Sequence, residues 1–463
     1  MNAKKIISKF KIDRKILINF LVYFTHPALF SSLMICFVFL NPVLPPIIEV
    51  REFTFRYVDA VTLLVIIVVL LRNFRGLNDL FKSEWWEILG NLFPFLAYMG
   101  LSLGLVWIYV PSVLWASVAS YVRVLITILM GLLIYMSIEK EKDINFISKS
   151  ILLIWLASII IGIWYTIPFK SKEEILVGRY GGILSINTFG LVGGLLVVWS
   201  IVARTHGKPF LFWSIPLLSG ILALFLSKSA SSILAVFGSV LFLRVYFLIT
   251  KSNKYTQVLR LILESMVGII FVIIVLWILR PSHFIGLVNL SHGSWSGRLM
   301  LGYAALRIFW THPLGVGWQA SKTEAIFGDP EFQKDLARFF AQLPEYHMVI
   351  NEPTSLHNMY FQILAELGIV GSLLFVYGIV RIAKIISNIL KELPQGSSFR
   401  KSALFWTVGL VYLLLWWNTN PLYGGHIETV LAVSFLSLFA GLWRLQKKRS
   451  YCKKLEDIID QTR

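Results

Sequence analysis

Charged residues are scarce in this sequence, and acidic residues are scarcer than basic ones. Only 15% of the 463 residues are charged, with 25 acidic against 43 basic side chains, whereas 57% are hydrophobic. The mean hydropathy is +0.73, which leaves too little polar surface for a water-soluble domain. The composition therefore excludes a soluble protein and indicates a polytopic membrane protein.

Cysteine is nearly absent as well. The two cysteines are Cys36, in an apolar segment, and Cys452, in the basic tail. They lie too far apart in sequence to indicate a disulfide or a metal-binding motif. No two histidines have the spacing of metal ligands on a helix, and no Asp-x-Asp pair lies in the segments assigned below to the outer side. We therefore expect neither a metal nor another cofactor.

Long apolar runs are abundant instead. A helix of about 20 apolar residues crosses the hydrocarbon core of a bilayer, and by this criterion the sequence predicts about 12 transmembrane helices. The runs lie near residues 17–41, 57–71, 88–110, 112–137, 148–167, 183–203, 209–227, 230–249, 261–279, 356–380, 403–418 and 428–443. We expect an all-α polytopic membrane protein.

Lysine and arginine indicate the side of the membrane on which each connection lies. They are concentrated before the first span, in alternate connections and after the last span, so the positive-inside rule places both termini in the cytoplasm. The net charge of +18 then reflects topology and a tail near anionic lipid, and it does not indicate nucleic-acid binding. We expect nine transmembrane helices in 1–279, one large extracytoplasmic loop with short helices in 280–355, three further transmembrane helices in 356–443, and a basic cytoplasmic tail in 444–463.

A lone histidine stands at the start of a long apolar segment, PTSLHNMYFQILAELGIVGSLLFVY, at residues 353–377. The Pro-Thr-Ser run predicts a helix start, which places His357 in the first turn at the water interface. At 100° per residue, Gly368 and Gly371 fall within roughly 40° of His357, whereas Glu366 points the other way. Glycines on that face would admit a neighbouring helix and fix the imidazole. The alternative is a histidine that only caps the helix or sits at the interface.

Three basic residues also fall on the expected outer side. Arg179 lies in the glycine-rich turn ILVGRYGG, and Lys228 lies where two predicted spans meet in LSKSASS. Arg298 lies on a predicted helix at 296–311, on the same face as the small residues Gly302 and Ala305. Taken singly, each is as readily a solvated anchor. Together with the histidine they predict an anion site, because guanidinium groups suit phosphate oxygens.

A second helix is predicted in the large loop, near 330–342. Its apolar stripe of Phe332, Leu336, Phe339 and Phe340 predicts either a lid on the membrane surface or simple core packing. Between the two helices, the run HPLGVG at 312–317 breaks the chain.

These motifs resemble those of the O-antigen ligase and polysaccharide polymerase superfamily, polytopic bacterial glycosyltransferases that use polyprenyl-diphosphate-linked glycans on the outer face of the inner membrane. His357 followed by Asn358, with Gly368 and Gly371 farther on, matches the histidine motif of that family. The resemblance implies a helical fold of the GT-C type.

Arg179 resembles the arginine of a family motif in which three residues and then a leucine follow. Ile183 stands in the position of that leucine, a conservative change. The Ser-Gly-Arg run that ends at Arg298, followed by PLGVG, is similar to the large outer loop of the family. Lys228 stands where many relatives have arginine. The resemblance implies that Arg179, Arg298 and Lys228 bind the diphosphate.

The resemblance also implies a metal-independent, inverting transfer from an undecaprenyl-diphosphate-linked glycan, with His357 as general base. Glu352 and Asp329 are the alternative bases, because the related cell-wall polymerases are thought to use a loop carboxylate. The acceptor is another glycan in a polymerase, which we favour, or lipid A core in a ligase.

A transporter or flippase of lipid-linked sugars is the alternative from another functional class. Such a protein needs charged residues along a pathway deep in its spans. Arg123, Arg244 and Glu366 are the candidates in this sequence.

Overall fold

The computed structural model describes residues 46–50, 53–56, 82–166, 179–181, 184–205, 207–250, 294–321, 329–341, 356–394, 397–422 and 427–462, together with residues 32, 270, 274, 278 and 327.

Helices account for nearly all of this structure. They are α1 (Glu84–Leu89), α2 (Phe93–Leu101), α3 (Leu103–Tyr109), α4 (Leu114–Met136), α5 (Glu141–Thr166), α6 (Ile186–Thr205), α7 (Phe210–Ser227), α8 (Ala230–Thr250), α9 (Ser294–Thr311), α10 (Pro330–Phe340), α11 (Met359–Glu392), α12 (Ser398–Trp416) and α13 (Ile427–Thr462). Short 3-10 turns lie at Gly90–Leu92, Pro111–Val113 and Trp417–Thr419. Strands β1 (Pro46–Val50) and β2 (Phe53–Arg56) form a short antiparallel hairpin.

Nine helical stretches of the described chain are long and apolar enough to cross a membrane: Glu84–Tyr109, Pro111–Met136, Glu141–Trp164, Ile186–Thr205, Phe210–Ser227, Ala230–Phe247, Met359–Glu392, Ser398–Thr419 and Ile427–Cys452. Each falls on a predicted apolar run, and apart from the hairpin the prediction of an all-α polytopic membrane protein is confirmed. The predicted runs near 17–41, 57–71 and 261–279 lie almost wholly outside the described residues. The total of about 12 spans stays a prediction.

Two helices, α6 and α13, form the centre of the bundle. The apolar span of α13 is 89% buried and that of α6 is 72% buried, whereas that of α8 is only 28% buried. Helix α6 packs closely on α7 because two glycines face each other: a Cβ atom on Gly220 would meet the carbonyl oxygen of Gly193. Small residues at such crossings let backbones approach, which is how helices associate in lipid.

The predicted basic tail begins inside α13, which continues as a helix to Thr462. Lys447 lies 3.3 Å from both Glu84 and Glu87 at the start of α1, and Arg449 lies 2.8 Å from Glu141 at the start of α5. The acidic first turns of two spans and the basic end of α13 therefore meet on one side of the bundle.

Helix α11 is broken at Gly368, which has φ 61° and ψ −159° inside a membrane-spanning stretch. A segment that follows α9 fills the break, because the N–H of Ile369 donates to the carbonyl oxygen of Pro313 at 3.0 Å. A Cβ atom on Gly368 would overlap that carbonyl, and one on Gly371 would overlap Leu367 of the same helix. The expectation that a neighbouring helix packs on Gly368 and Gly371 is therefore corrected: what approaches Gly368 is an irregular turn.

We expect Gly368→Ala to lower the temperature at which the purified protein unfolds by several degrees. The substitution forces a side chain into a left-handed backbone and against Pro313, a strain of roughly 1–3 kcal/mol. Gly104→Ala is the matched control, because nothing lies within 4 Å of the position of its added Cβ atom. Thermal unfolding in detergent measures both, and an equal effect of the two variants would contradict the break at Gly368.

Candidate active site

His357 lies before α11. The sequence had led us to expect it within the first turn of that helix. The helix begins at Met359, and Asn358 is its N-cap, whose Oδ1 accepts from the N–H groups of Tyr360 at 2.9 Å and Phe361 at 3.1 Å. His357 itself has φ 50°, in the left-handed region. The expected position is wrong because the short amide of Asn358 takes the cap.

The chain around His357 is held by the end of α12. The Nδ2 atom of Asn358 donates to the carbonyl oxygen of Asn418 at 2.7 Å and to its Oδ1 at 3.1 Å. The hydroxyl of Tyr360 donates to the carbonyl oxygen of Leu414 at 2.8 Å, and Leu356 is buried. The backbone at His357 is therefore fixed on both sides while its side chain remains exposed.

Arg298 lies in the first turns of α9, which packs beside the start of α11. A Cβ atom on Gly302, one turn farther along α9, would lie 3.2 Å from the ring of Phe361. Ala305 is fully buried, and Arg298 is half-buried. The small residues predicted to share a face with Arg298 thus bring α9 close to α11.

Arg179 and the turn between α7 and α8 are joined by hydrogen bonds. The Nε–H of Arg179 donates to the carbonyl oxygen of Ser227 at 3.1 Å, and the N–H of Tyr180 donates to that of Leu226 at 3.0 Å. Lys228 follows in the left-handed region, with φ 48°, and is only 5% exposed. Lys228 is therefore not a solvated anchor, and it lies in the turn to which Arg179 is hydrogen-bonded.

Arg179, Arg298 and His357 lie near enough to one another for the charge of one to shift the pKa of the next. Burial lowers the pKa of Arg179, and burial and then the charge of Arg179 lower the pKa of Arg298. Burial and then the charge of Arg298 lower the pKa of His357, although the residue is exposed on part of its surface. Within the described part of the chain no carboxylate forms an ion pair with any of the three. Positive charge that no described carboxylate pairs with favours an anionic ligand.

The structure gives little support to the alternative bases Asp329 and Glu352. Asp329 is exposed and caps α10, with its Oδ1 accepting from the N–H of Glu331 at 3.1 Å. Glu352 lies outside the described residues. In the regions that the structure describes, no group of three or more His, Cys, Asp and Glu side chains could hold a metal ion.

Helices α9 and α10 are connected to each other. The Nε–H of Arg307 on α9 donates to Oδ2 of Asp335 on α10 at 2.7 Å. Phe332 and Leu336 are buried against α9, which favours core packing over a membrane lid for these two residues, whereas Phe339 of the same stripe is 60% exposed.

Sequence analysis missed the role of Glu366, which is 1% exposed. Its Oε2 accepts from the N–H of Gln319 at 2.9 Å and from Nε2 of Gln362 at 3.1 Å, and its Oε1 accepts from the hydroxyl of Ser321 at 2.6 Å. Glu366 thus binds the irregular segment that follows α9 to α11. The one signal in the sequence is the pair Gln362 and Glu366, four residues apart on an otherwise apolar helix face.

The same network reaches the end of α12. The N–H of Leu422 donates to Oε1 of Gln362 at 2.8 Å, and the Nε2 atoms of Gln319 and Gln362 donate to the carbonyl oxygen of Leu422 at 3.2 and 3.3 Å. Helix α11, the segment after α9 and the chain after α12 are therefore joined by one buried set of hydrogen bonds. Its partners lie up to 103 residues apart in the chain.

An apolar cavity of about 480 Å³ lies beside the site. Helices α2, α11, α12 and α13 contribute most of its wall. It is lined at one end by Met359, two residues after His357, and it extends to Lys391 and Arg400 near the other end of the bundle. Its apolar lining suits a lipid chain.

Residues 215–376 match the family model described as O-antigen ligase. The match covers about a third of the chain and contains Lys228, Arg298, His357 and Gly368, whereas Arg179 precedes it. The resemblance to the O-antigen ligase and polymerase superfamily is confirmed, and the match supports a membrane glycosyltransferase role. No curated protein matches the chain.

We expect Glu366→Ala to lower the unfolding temperature more than Glu366→Gln. The alanine leaves the N–H of Gln319 and the hydroxyl of Ser321 without an acceptor, each at a cost of about 1–3 kcal/mol, and removes one of the two acceptors of Gln362 Nε2, whereas glutamine keeps one acceptor oxygen. Glu392→Ala, at the exposed end of the same helix, is the control.

Combining Glu366→Ala with Ser321→Ala should cost less than the sum of the two single changes, because they remove the same hydrogen bond. Strictly additive losses would contradict the network.

Proposed function

We propose that this protein transfers a glycan from a polyprenyl diphosphate, with undecaprenol as the lipid, to an acceptor hydroxyl at the extracytoplasmic face of the bacterial inner membrane. The observation that carries the proposal is the coupled set of Arg179, Arg298 and His357. Two guanidinium groups without a carboxylate partner in the described structure suit a diphosphate, and the histidine beside them suits proton transfer.

The transfer is a displacement at the anomeric carbon. The acceptor oxygen forms a bond to that carbon as the bond to the diphosphate oxygen breaks, and the acceptor proton passes to the imidazole of His357. The lowered pKa keeps His357 neutral near pH 7, the form that can take this proton. Arg179 and Arg298 stabilise the negative charge that develops on the departing diphosphate, with Lys228 in the adjacent turn as a third cation. Inversion at the sugar follows from a single displacement.

The apolar cavity supports a lipid-linked donor. Its wall begins at Met359, beside His357, so an isoprenoid chain inside it would leave the diphosphate near the two arginines. This arrangement keeps the polar head at the cationic site and the chain in apolar surroundings.

The acceptor separates two versions of the proposal. We favour a polymerase, whose acceptor is a second lipid-linked glycan, and the description of the matching family keeps a ligase that uses lipid A core as the alternative. Incubating the purified protein with a defined lipid-linked glycan, with and without lipid A core, distinguishes them. A lengthened lipid-linked glycan indicates the polymerase, and a lipid A core that carries the glycan indicates the ligase.

A transport function is less well supported. Of its three candidate residues, Glu366 is engaged in structural hydrogen bonds through both carboxylate oxygens. A carboxylate committed in this way does not offer a site for a moving ion or sugar.

We expect His357→Ala to reduce glycan transfer by roughly a hundredfold or more, the usual contribution of a general base, while binding of the donor is kept. His357→Gln should be equally impaired, because its amide hydrogen-bonds but takes no proton near neutral pH. His312→Ala is the matched control, since His312 bonds Thr311 at 2.9 Å and its ring packs on that of Tyr109. Substantial activity in His357→Gln would make His357 a binding residue and move the base to Glu352 or Asp329.

The pH dependence of transfer tests the electrostatic coupling. The rate should fall on acidification, as His357 becomes protonated, with a midpoint below the usual histidine pKa of ~6.5. Arg298→Gln removes the positive charge that lowers this pKa, so the midpoint should move to higher pH, whereas Arg298→Lys keeps the charge and the lower midpoint. Arg307→Gln, on the same helix, should leave the midpoint unchanged. A midpoint that ignores the charge at residue 298 would contradict the coupling.

A further inference from the structure

Helix α9 is apolar on two opposite faces. One face packs into the protein and consists of Leu301, Ala304, Ala305 and Ile308, all buried. The opposite face exposes Leu299, Leu306 and Trp310, which lie within roughly 40° of one another around the helix. Trp310 is 74% exposed.

The polar residues of α9 lie between these faces. Arg298 and Arg307 fall about 80–100° to either side of the exposed apolar stripe. Arg298 is half-buried at the site, and Arg307 pairs with Asp335. A helix with this distribution has protein on one face and requires an apolar medium on the other.

Helix α10 provides a contrast within the same outer segment. Its buried face carries Phe332 and Leu336, and its outward face carries the exposed Glu331, Lys334 and Arg338. Phe339, on the same side as Phe332, is also 60% exposed. This is the one-sided pattern of a helix that faces water. The apolar outer face of α9 is therefore not a general property of the segment.

The contacts of the turn after α9 indicate its depth along α11. Arg381 is the first basic residue of α11, and ~30 Å of hydrocarbon counted back from it at ~1.5 Å per residue reaches roughly residue 361. The N–H groups of Val316 and Gly317 donate to the carbonyl oxygens of Ala365 and Glu366 at 3.2 and 2.8 Å. These partners lie about 6–8 Å inside that boundary.

The first span of the described bundle gives a matching depth. Glu87 is its last charged residue, and the same count forward from it reaches roughly residue 107. The N–H of Trp318 donates to Oγ of Ser102 at 3.2 Å, and the hydroxyl of Tyr98 donates to the carbonyl oxygen of Leu314 at 3.0 Å. Two spans thus place the turn at 313–318 inside the apolar layer.

The exposed stripe of α9 also continues the exposed faces of this span. The rings of Tyr109 and His312 are in contact, with centroids 4.8 Å apart. Trp107 and Ile108 on α3 are exposed, as is Leu314 in the turn. The exposed apolar faces of α3 and α9 therefore form one continuous surface. If lipid covers the part on the membrane-spanning α3, it covers the part on α9 as well.

We propose that α9 and the turn at 312–318 enter the membrane as a re-entrant element, with Leu299, Leu306 and Trp310 facing the acyl chains of the leaflet on the His357 side. Irregular backbone is tolerated at this depth only when protein satisfies its polar groups. The turn meets this condition through its bonds to Ala365 and Glu366. The surface partner is thus a phospholipid leaflet.

The depth of α9 has a consequence that rests on the proposed function. Arg298 lies at the start of the helix, about 18 Å along the axis before Trp310. It would then stand near the headgroup layer, the level at which a membrane-anchored donor presents its diphosphate.

Spin-label accessibility tests the insertion without requiring activity. In the full-length protein with Cys36 and Cys452 changed to Ser, Leu306→Cys and Trp310→Cys are labelled with a nitroxide in phosphatidylethanolamine–phosphatidylglycerol vesicles. Leu373→Cys, exposed on the spanning helix α11, is the lipid reference, and Lys334→Cys on α10 is the aqueous reference. We expect residues 306 and 310 to collide more with oxygen than with a nickel chelate, as residue 373 does, and residue 334 to show the opposite.

Nickel accessibility at residues 306 and 310 equal to that at residue 334 would overturn the proposal. Because these side chains are exposed, the cysteine changes leave the packing of α9 intact, and Leu299→Cys gives a third position on the same stripe. Transfer activity is measured separately. Loss of activity with correct labelling would count against the glycosyltransferase mechanism alone, and aqueous labelling with full activity would count against the insertion alone.

Discussion

The arrangement of the half of the protein that contains His357 depends on the hydrogen bonds that Glu366 accepts inside a membrane-spanning helix. A carboxylate at that depth is costly unless its oxygens are satisfied, and here the donors are Gln319, Ser321 and Gln362. Two of these donors belong to the segment after α9. The requirement to satisfy one buried acid therefore holds an irregular stretch of chain against α11.

The break at Gly368 and the carboxylate at Glu366 serve the same contact. A continuous helix would consume its own backbone groups, whereas the left-handed glycine leaves room for the turn at 313–315. Because α9 leads directly into that turn, its position beside the start of α11 is set by the same bonds. The placement of Arg298 near His357 follows from this packing.

The two arginines and His357 come from separate parts of the chain. Arg179 is held by the turn after α7, Arg298 by α9, and His357 by the cap of α11 and the end of α12. Each guanidinium lowers the pKa of the next group, so their proximity is unfavourable without an anion. Such a cluster is kept by the rigid elements that carry it, and a diphosphate would relieve the repulsion.

The sequence by itself determined the membrane class, the nine described spans, helices α9 and α10, and the residues proposed for the site. These follow from hydropathy, spacing and local motif, which are properties of neighbouring residues. Only the tertiary structure decided that His357 precedes its helix, that Lys228 is buried, that Gly368 breaks α11, and that Glu366 binds a distant turn. The last three depend on hydrogen bonds or contacts between residues far apart in the chain, which no local pattern encodes, whereas the position of His357 follows from a local cap by Asn358 that was not predicted.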